Sequence, residues 1–305
     1  EDRKLYEGKG LSADTESFFG MIHNIDENVG RLMAKLDEWG IAKNTLVIFI
    51  QGDNGGSAEG GRKGSISYMG AIQGLPEDRV KTLSRLDSFG GPDTYAQYPS
   101  AWAWAMSTPL QWMKTVASHL GATRNPMVVT WPARIRDRGG LRSQFGHVND
   151  ILPTVLEAVG LEAPTVFHGI RQKPLDGTSL AYSFNEPQAP ERHRTQYFEV
   201  YGHRALYHDG WMASAFHARL PWQVISRDQK PFEADTWELY DLRNDFSQAH
   251  DLATQEPGRQ PGSSFKPFVY AAVLRSALED PSQPITPTTT AGGEPTTFGY
   301  DEKPY

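Results

Sequence analysis

No cysteine occurs among the 305 residues. Its absence excludes disulfides, thiolate metal sites and a cysteine nucleophile within this stretch, and leaves the redox compartment open. Any metal has to bind through oxygen or imidazole. Positive charge is also in short supply, since 30 Lys and Arg stand against 37 Asp and Glu for a net charge of −7. No basic surface invites nucleic acid or anionic lipid. Long apolar runs are missing as well, none approaching the ~18 residues that would span a bilayer. The opening residues, "EDRKLYEGKG", have neither an initiator methionine nor a signal-peptide pattern, so the chain reads as cut from something longer. What remains is length enough for one large or two ordinary domains with a substantial core.

Residues 14–39 place Phe18, Ile22, Ile25, Val29, Leu32, Leu36 and Trp39 at helical spacing. Asp14 is the expected N-cap and Gly40 the expected C′ residue. "TLVIFI" follows, apolar on both faces, as expected of an interior strand in a parallel sheet covered by helices. Residues 62–109 lose periodicity and are rich in Gly, Pro and aromatics, which reads as a long ordered excursion carrying part of a pocket. Regularity returns with "PLQWMKTVASHL" as a short helix, "PMVVTWP" as a second core strand and "NDILPTVLEAVG" as a helix ended by Gly160. Helix alternating with buried strand predicts an α/β fold. Beyond residue 185 the segments "TQYFEVYGHRALYHDGWMASAF" and "TWELYDLRND" predict short antiparallel strands, with turns at His208-Asp209-Gly210 and Asn244-Asp245. The expected organisation is a body over residues 1–184, a small antiparallel subdomain over 185–255 and an unrelated tail over 256–305.

The chemistry-bearing stretch is "NTLVIFIQGDNGGSAEGG", residues 44–61. Asp53-Asn54-Gly55-Gly56 after a strand reads in two ways. Asn and Gly supply positive φ at a turn without strain. Alternatively, a carboxylate beside an amide oxygen suits a hard cation such as calcium, and ligands gather at the carboxyl ends of strands in open α/β sheets.

That stretch, together with "YAQYPSAWAWAMSTPLQWMKTVASHLGATRNPMVVTWPARI", "GHVNDILPTVLEAVGL", "RALYHDGWMASAFHARLPW" and "WELYDLRNDFSQAHDLA", resembles successive segments of bacterial arylsulfatases of the formylglycine-dependent sulfatase family. The likeness runs over residues 1–255. It implies an alkaline-phosphatase-like α/β fold with a mixed, mostly parallel sheet, and hydrolysis of a small-molecule sulfate ester. By this resemblance Asp53 and Asn54 are two ligands of a divalent cation, usually calcium, and Lys114 contacts the substrate sulfate. A fixed ammonium there would stabilise charge developing on sulfate and on the leaving oxygen. His119 could protonate a leaving group or cap a helix end. Arg124 is expected to brace its loop, and His147 to open a helix. The family's nucleophile, a formylglycine made from Cys or Ser in a C/S-x-P-x-R signature, has no counterpart before Asp53, and the first metal-binding Asp pair would also lie upstream. Little or no turnover is expected of this chain alone.

The tail "RQPGSSFKPFVYAAVL" resembles a different family, the start of the transpeptidase domain of class A penicillin-binding proteins. There Ser263 would be the nucleophile and Lys266 its activator. The other motifs of that family are not found downstream. Two partial resemblances meeting near "TQEPGRQPG" read as a fusion.

Overall fold

The structure, a computed structural model, describes residues 1–52, 54–223 and 230–253. Glu1–Asp251 form one compact unit, and Leu252–Tyr305 are assigned to a second. Only residues 252 and 253 of the second are described, so Ser263, Lys266 and the transpeptidase-like reading lie outside the described residues.

The first unit opens with α1 (Ala13–Glu38), β1 (Val47–Ile50), α2 (Tyr68–Ile72), α3 (Arg79–Ser84), α4 (Ser100–Ser107), α5 (Leu120–Thr123), β2 (Met127–Thr130) and α6 (Ile151–Val159). A small hairpin, β3 (Val166–Phe167) with β4 (Ile170–Arg171), precedes the strands β5 (Thr195–Val200), β6 (His203–His208), β7 (Trp211–Ala215) and β8 (Trp237–Asp241).

Helix α1 lies where its periodicity puts it, but Ser12 rather than Asp14 is the N-cap residue. Asp14 falls in the first turn, where a carboxylate meets the positive end of the helix dipole. Gly40, at φ 70°, turns the chain out as expected. Only the first part of the helix is covered: Thr15, Glu16 and Gly20 are buried, and the Phe18 ring packs edge-on against Tyr98 at 4.8 Å. Further along, Ile25, Leu32 and Trp39 of the apolar stripe are exposed. Periodicity identifies a face; it does not supply the neighbour that covers it.

The expectation of a mostly parallel sheet is corrected. β1 pairs antiparallel with β2, Val47 opposite Thr130 and Ile50 opposite Met127, and every ladder between named strands of the described residues is antiparallel. An apolar run reports coverage of a strand, whereas its direction relative to a neighbour depends on where the intervening chain returns. Residues 51–126 return it head to tail. Coverage is also incomplete, since Ile50, Met127 and Val128 are exposed.

"PLQWMKTVASHL" is likewise not a helix. Trp112 and Thr115 adopt positive φ, 65° and 80°, which no right-handed helix accommodates, and helix begins only at Leu120. The α6 prediction holds, ending at Gly160 with φ 72°. His147 opens the 3-10 turn ahead of α6, its ring accepting from Asn149 N while the Asp150 carboxylate accepts from His147 N. Arg124 lays its guanidinium over the Phe246 ring at 5.6 Å.

The antiparallel sheet near the carboxyl end appears as expected, a meander in the order β5-β6-β7-β8. Asp209 and Gly210, both at positive φ, make the two-residue turn between β6 and β7, and Tyr201-Gly202 does the same between β5 and β6. Two consecutive left-handed residues give the twist that tight hairpins need. This sheet meets the body at Leu120, which packs with Ala205 and Met212. Buried Gln248 joins them further: its Oε1 accepts from Leu120 N at 2.7 Å and its Nε2 donates to Ser214 Oγ at 3.1 Å.

Candidate active site

The carboxyl end of β1 runs into glycines because backbone packs on backbone there. Gly55 sits at φ 75°, and a Cβ on it would lie 1.9 Å from the Gly121 carbonyl oxygen. Gly121 in turn could carry no side chain, since a Cβ would meet the carbonyls of Gln111 and Trp112 at 2.2 Å. The strand tip and the 111–121 segment are therefore pressed together, and the backbone records it: Lys114 N donates to Gly56 O at 3.1 Å. Gly56 N reaches Ser107 Oγ at 3.4 Å.

Asn54, half-buried, thus lies two residues from the point where Lys114 docks. Asp53 is outside the described residues. Lys114 sits on a strained turn between Trp112 and Thr115, the latter a β-branched residue at φ 80°. Such conformations persist only where the surroundings over-determine them, and they concentrate at functional sites.

The Lys114 side chain is held by a residue that sequence reasoning left without a role. Its Nζ donates to Glu59 Oε2 at 2.8 Å. The same carboxylate oxygen accepts from Ser57 Oγ at 3.1 Å and Tyr68 OH at 3.2 Å. Ser57 N donates to Tyr98 OH at 2.9 Å, and the Tyr68 ring lies 5.1 Å from that of Tyr95. Burial pushes the Glu59 carboxyl up, but the Lys114 ammonium and the hydroxyls of Ser57 and Tyr68 together outweigh it and hold the group below its ordinary value. The Tyr68 hydroxyl is raised by burial and by the Glu59 charge. The signal for Glu59 was an acid six residues after Asp53, but only folding brings it to Lys114.

His119 sits in other company. It is buried at the N-cap position of α5, with Nδ1 2.9 Å from Ser118 Oγ and Nε2 3.1 Å from Glu238 Oε2 on β8. No hydrogen bond from its ring caps the helix. Burial raises the Glu238 carboxyl, and the bonds and charge it shares with His119 and Tyr240 more than offset this.

Beneath the site, Ala58, Tyr98, Ala103 and Met113 form a buried cluster against which Phe18, Trp102 and Trp222 pack. Glu59 and Lys114 directly follow two members of this cluster, so their backbones rest on a packed floor. The guanidinium of Arg62 lies 5.7 Å from the centre of the Trp222 ring.

A family model described as Sulfatase matches residues 3–161, just over half of the chain. The chain belongs to the sulfatase family. Among curated relatives, it is 29% identical over 268 residues to an uncharacterized sulfatase of Schizosaccharomyces pombe, covering 84% of this chain and 43% of that protein. It is 24% identical over 185 residues to an arylsulfatase of Klebsiella aerogenes, covering 61% of this chain and 37% of the relative. The chain spans about two fifths of the length of the curated relatives it matches. Of solved structures, the PsFucS1 sulfatase from Pseudoalteromonas sp. superposes with a TM-score of 0.52 at 18% identity, over 88% of this chain and 44% of that one. Ps i-CgsB gives 0.50 at 20% identity, over 83% and 42%. These likenesses establish the α/β sulfatase fold, with its small antiparallel sheet.

Sulfatases act on sulfate esters and are generally metal-dependent. Among the described residues no group of three or more His, Asp or Glu side chains could hold a metal ion. An amide oxygen at Asn54, next in sequence to a carboxylate, is nonetheless a donor set that suits a hard cation. Such a cation takes about six to eight oxygens, so the pair fits as part of a coordination sphere. No helix of the described residues is long and apolar enough to cross a membrane.

Proposed function

We propose that this chain carries the sulfate-binding half, and part of the metal-binding half, of an arylsulfatase-type sulfuric ester hydrolase. The observation that supports the reading is the docking of the Lys114 turn onto Gly56, two residues beyond Asn54, with the Lys114 ammonium anchored on Glu59. Lys114 binds a sulfate oxygen and stabilises the charge that grows there and on the leaving oxygen. Because the ammonium is fixed before substrate arrives, little reorganisation is needed as that charge develops. Asn54 and Asp53 are the ligands this chain offers to calcium, which when bound would polarise the sulfate oxygens. The 305 residues contain no C/S-x-P-x-R stretch, so the chain on its own is expected to bind a sulfate ester without turning it over.

Isothermal titration of the chain with 4-nitrophenyl sulfate, with and without calcium, tests this. The expected result is calcium-enhanced binding that Lys114→Ala abolishes and whose calcium dependence Asn54→Ala removes. Binding indifferent to both substitutions would overturn the reading.

A further inference from the structure

We infer that Glu59 is a specificity-determining residue, a fixed carboxylate beside the anion-binding lysine that admits a monoanionic sulfate ester and penalises the dianionic phosphate monoester of the same shape. The inference rests on Lys114 being the sulfate contact proposed above. Sulfate and phosphate monoesters are both tetrahedral and nearly equal in size, and a lysine ammonium is a compact point charge that reads neither shape nor bond angle. What separates the two ligands near neutral pH is charge. A sulfate monoester carries one negative charge, while a phosphate monoester loses its second proton near pH 6 and carries close to two.

The structure supplies a charge that can read this difference. Glu59 Oε2 is 2.8 Å from Lys114 Nζ, and both side chains are largely buried, with 16% and 27% of their area exposed. The two hydroxyls that share the same oxygen, from Ser57 and Tyr68, fix the carboxylate in place without cancelling its charge. Among the described residues, the ionisable groups around Glu59 are Lys114, Tyr68 and Tyr98, and the tyrosines are both raised, so at neutral pH Glu59 is the negative charge these groups set against the ammonium. An incoming anion therefore meets an ammonium already paired with a carboxylate, and each extra negative charge on the ligand is repelled by Glu59. Removing the carboxylate is expected to relieve a dianion about twice as much, in logarithmic terms, as a monoanion. One unit charge ~6 Å away, at an effective dielectric of about 20 and screened by about 0.15 M salt, corresponds to roughly a tenfold change in affinity. Glu59 also restrains Lys114, and losing that restraint weakens both ligands alike. The ratio of the two affinities isolates the charge effect.

The test titrates the whole chain with methyl sulfate and methyl phosphate in calcium-containing buffer, as wild type, Glu59→Gln, Glu59→Asp and Lys114→Ala. Glu59→Gln is expected to raise the affinity for methyl phosphate about tenfold more than that for methyl sulfate, whereas Glu59→Asp, which keeps the charge, leaves the ratio within about twofold of wild type. An equal change for both ligands in Glu59→Gln overturns the inference. The wild type alone gives a second reading that needs no variant to fold. Its affinity for methyl phosphate stays nearly flat as pH rises from about 5 to about 7.5, and a tenfold increase there would refute the role. Sulfate binding that survives Lys114→Ala instead removes the underlying functional reading, which keeps the two failures distinct.

Discussion

Asp150 is fully buried, and its carboxylate is the fixed point of the loop that follows α6. Oδ2 accepts from His147 N at 2.7 Å, Oδ1 accepts from Thr178 N at 2.6 Å, and His193 Nδ1 lies 2.8 Å from both oxygens. The Phe145 ring closes over His193 edge-on at 5.2 Å. Asp150→Ala strands two backbone donors and a buried imidazole together. Breaking a buried charged pair from one side costs about 3–5 kcal/mol, most of it the penalty on the partners left behind. For a chain of this size that corresponds to a melting temperature lower by roughly 10 °C.

The pair also fixes a pH signature. The hydrogen bond to Asp150 raises the His193 imidazole above its ordinary value despite burial. Burial pushes the Asp150 carboxyl up, but His193 and the two backbone donors outweigh it and hold it low. A raised histidine contributes stability that is complete below its unfolded pKa, about 6.5, and that fades as pH climbs through the higher folded value. A lowered aspartate contributes stability that is complete above its unfolded pKa, about 3.9, and that fades as pH falls through the lower folded value. The pair is therefore worth most between about pH 4 and 6.5. Urea denaturation at about pH 5.5 and pH 8.5 should show wild type losing stability toward alkaline pH, and His193→Gln losing much less. Identical slopes for the two proteins, or an Asp150→Ala variant within 1 kcal/mol of wild type, would refute this account.

Two further outcomes follow from the packing of the site. Gly55→Ala forces a left-handed backbone at about 1–2 kcal/mol and drives a Cβ to 1.9 Å from the Gly121 carbonyl, so the Lys114 turn has to move. Thermal melting should drop and 4-nitrophenyl sulfate binding should be lost together, and retention of both would sink the claim that these backbones are in contact. Gln248→Ala removes a wholly buried amide and leaves Leu120 N without its acceptor, at a cost of about 2 kcal/mol or more by urea denaturation. A cost under 0.5 kcal/mol would mean that this residue does not join the carboxyl-terminal sheet to the body.

Much of the local structure could be read from the chain itself, because local chemistry decides it. The α1 stripe, Gly160 at the end of α6, the Asp209-Gly210 hairpin and the His147 start each depend on residues within one or two turns of each other. The resemblance is what singled out Asp53, Asn54 and Lys114 as candidates for the proposed site. Three things were not legible, and each depends on contacts between residues far apart in sequence. The direction of β2 against β1 follows from the path of residues 51–126, which an apolar run cannot encode. The 109–120 segment has the composition of a helix, yet Trp112 and Thr115 take positive φ and Lys114 N bonds to Gly56 O far earlier in the chain. Glu59 is one acid among many in the sequence, and only the fold, by setting Lys114 2.8 Å away, gives it that partner.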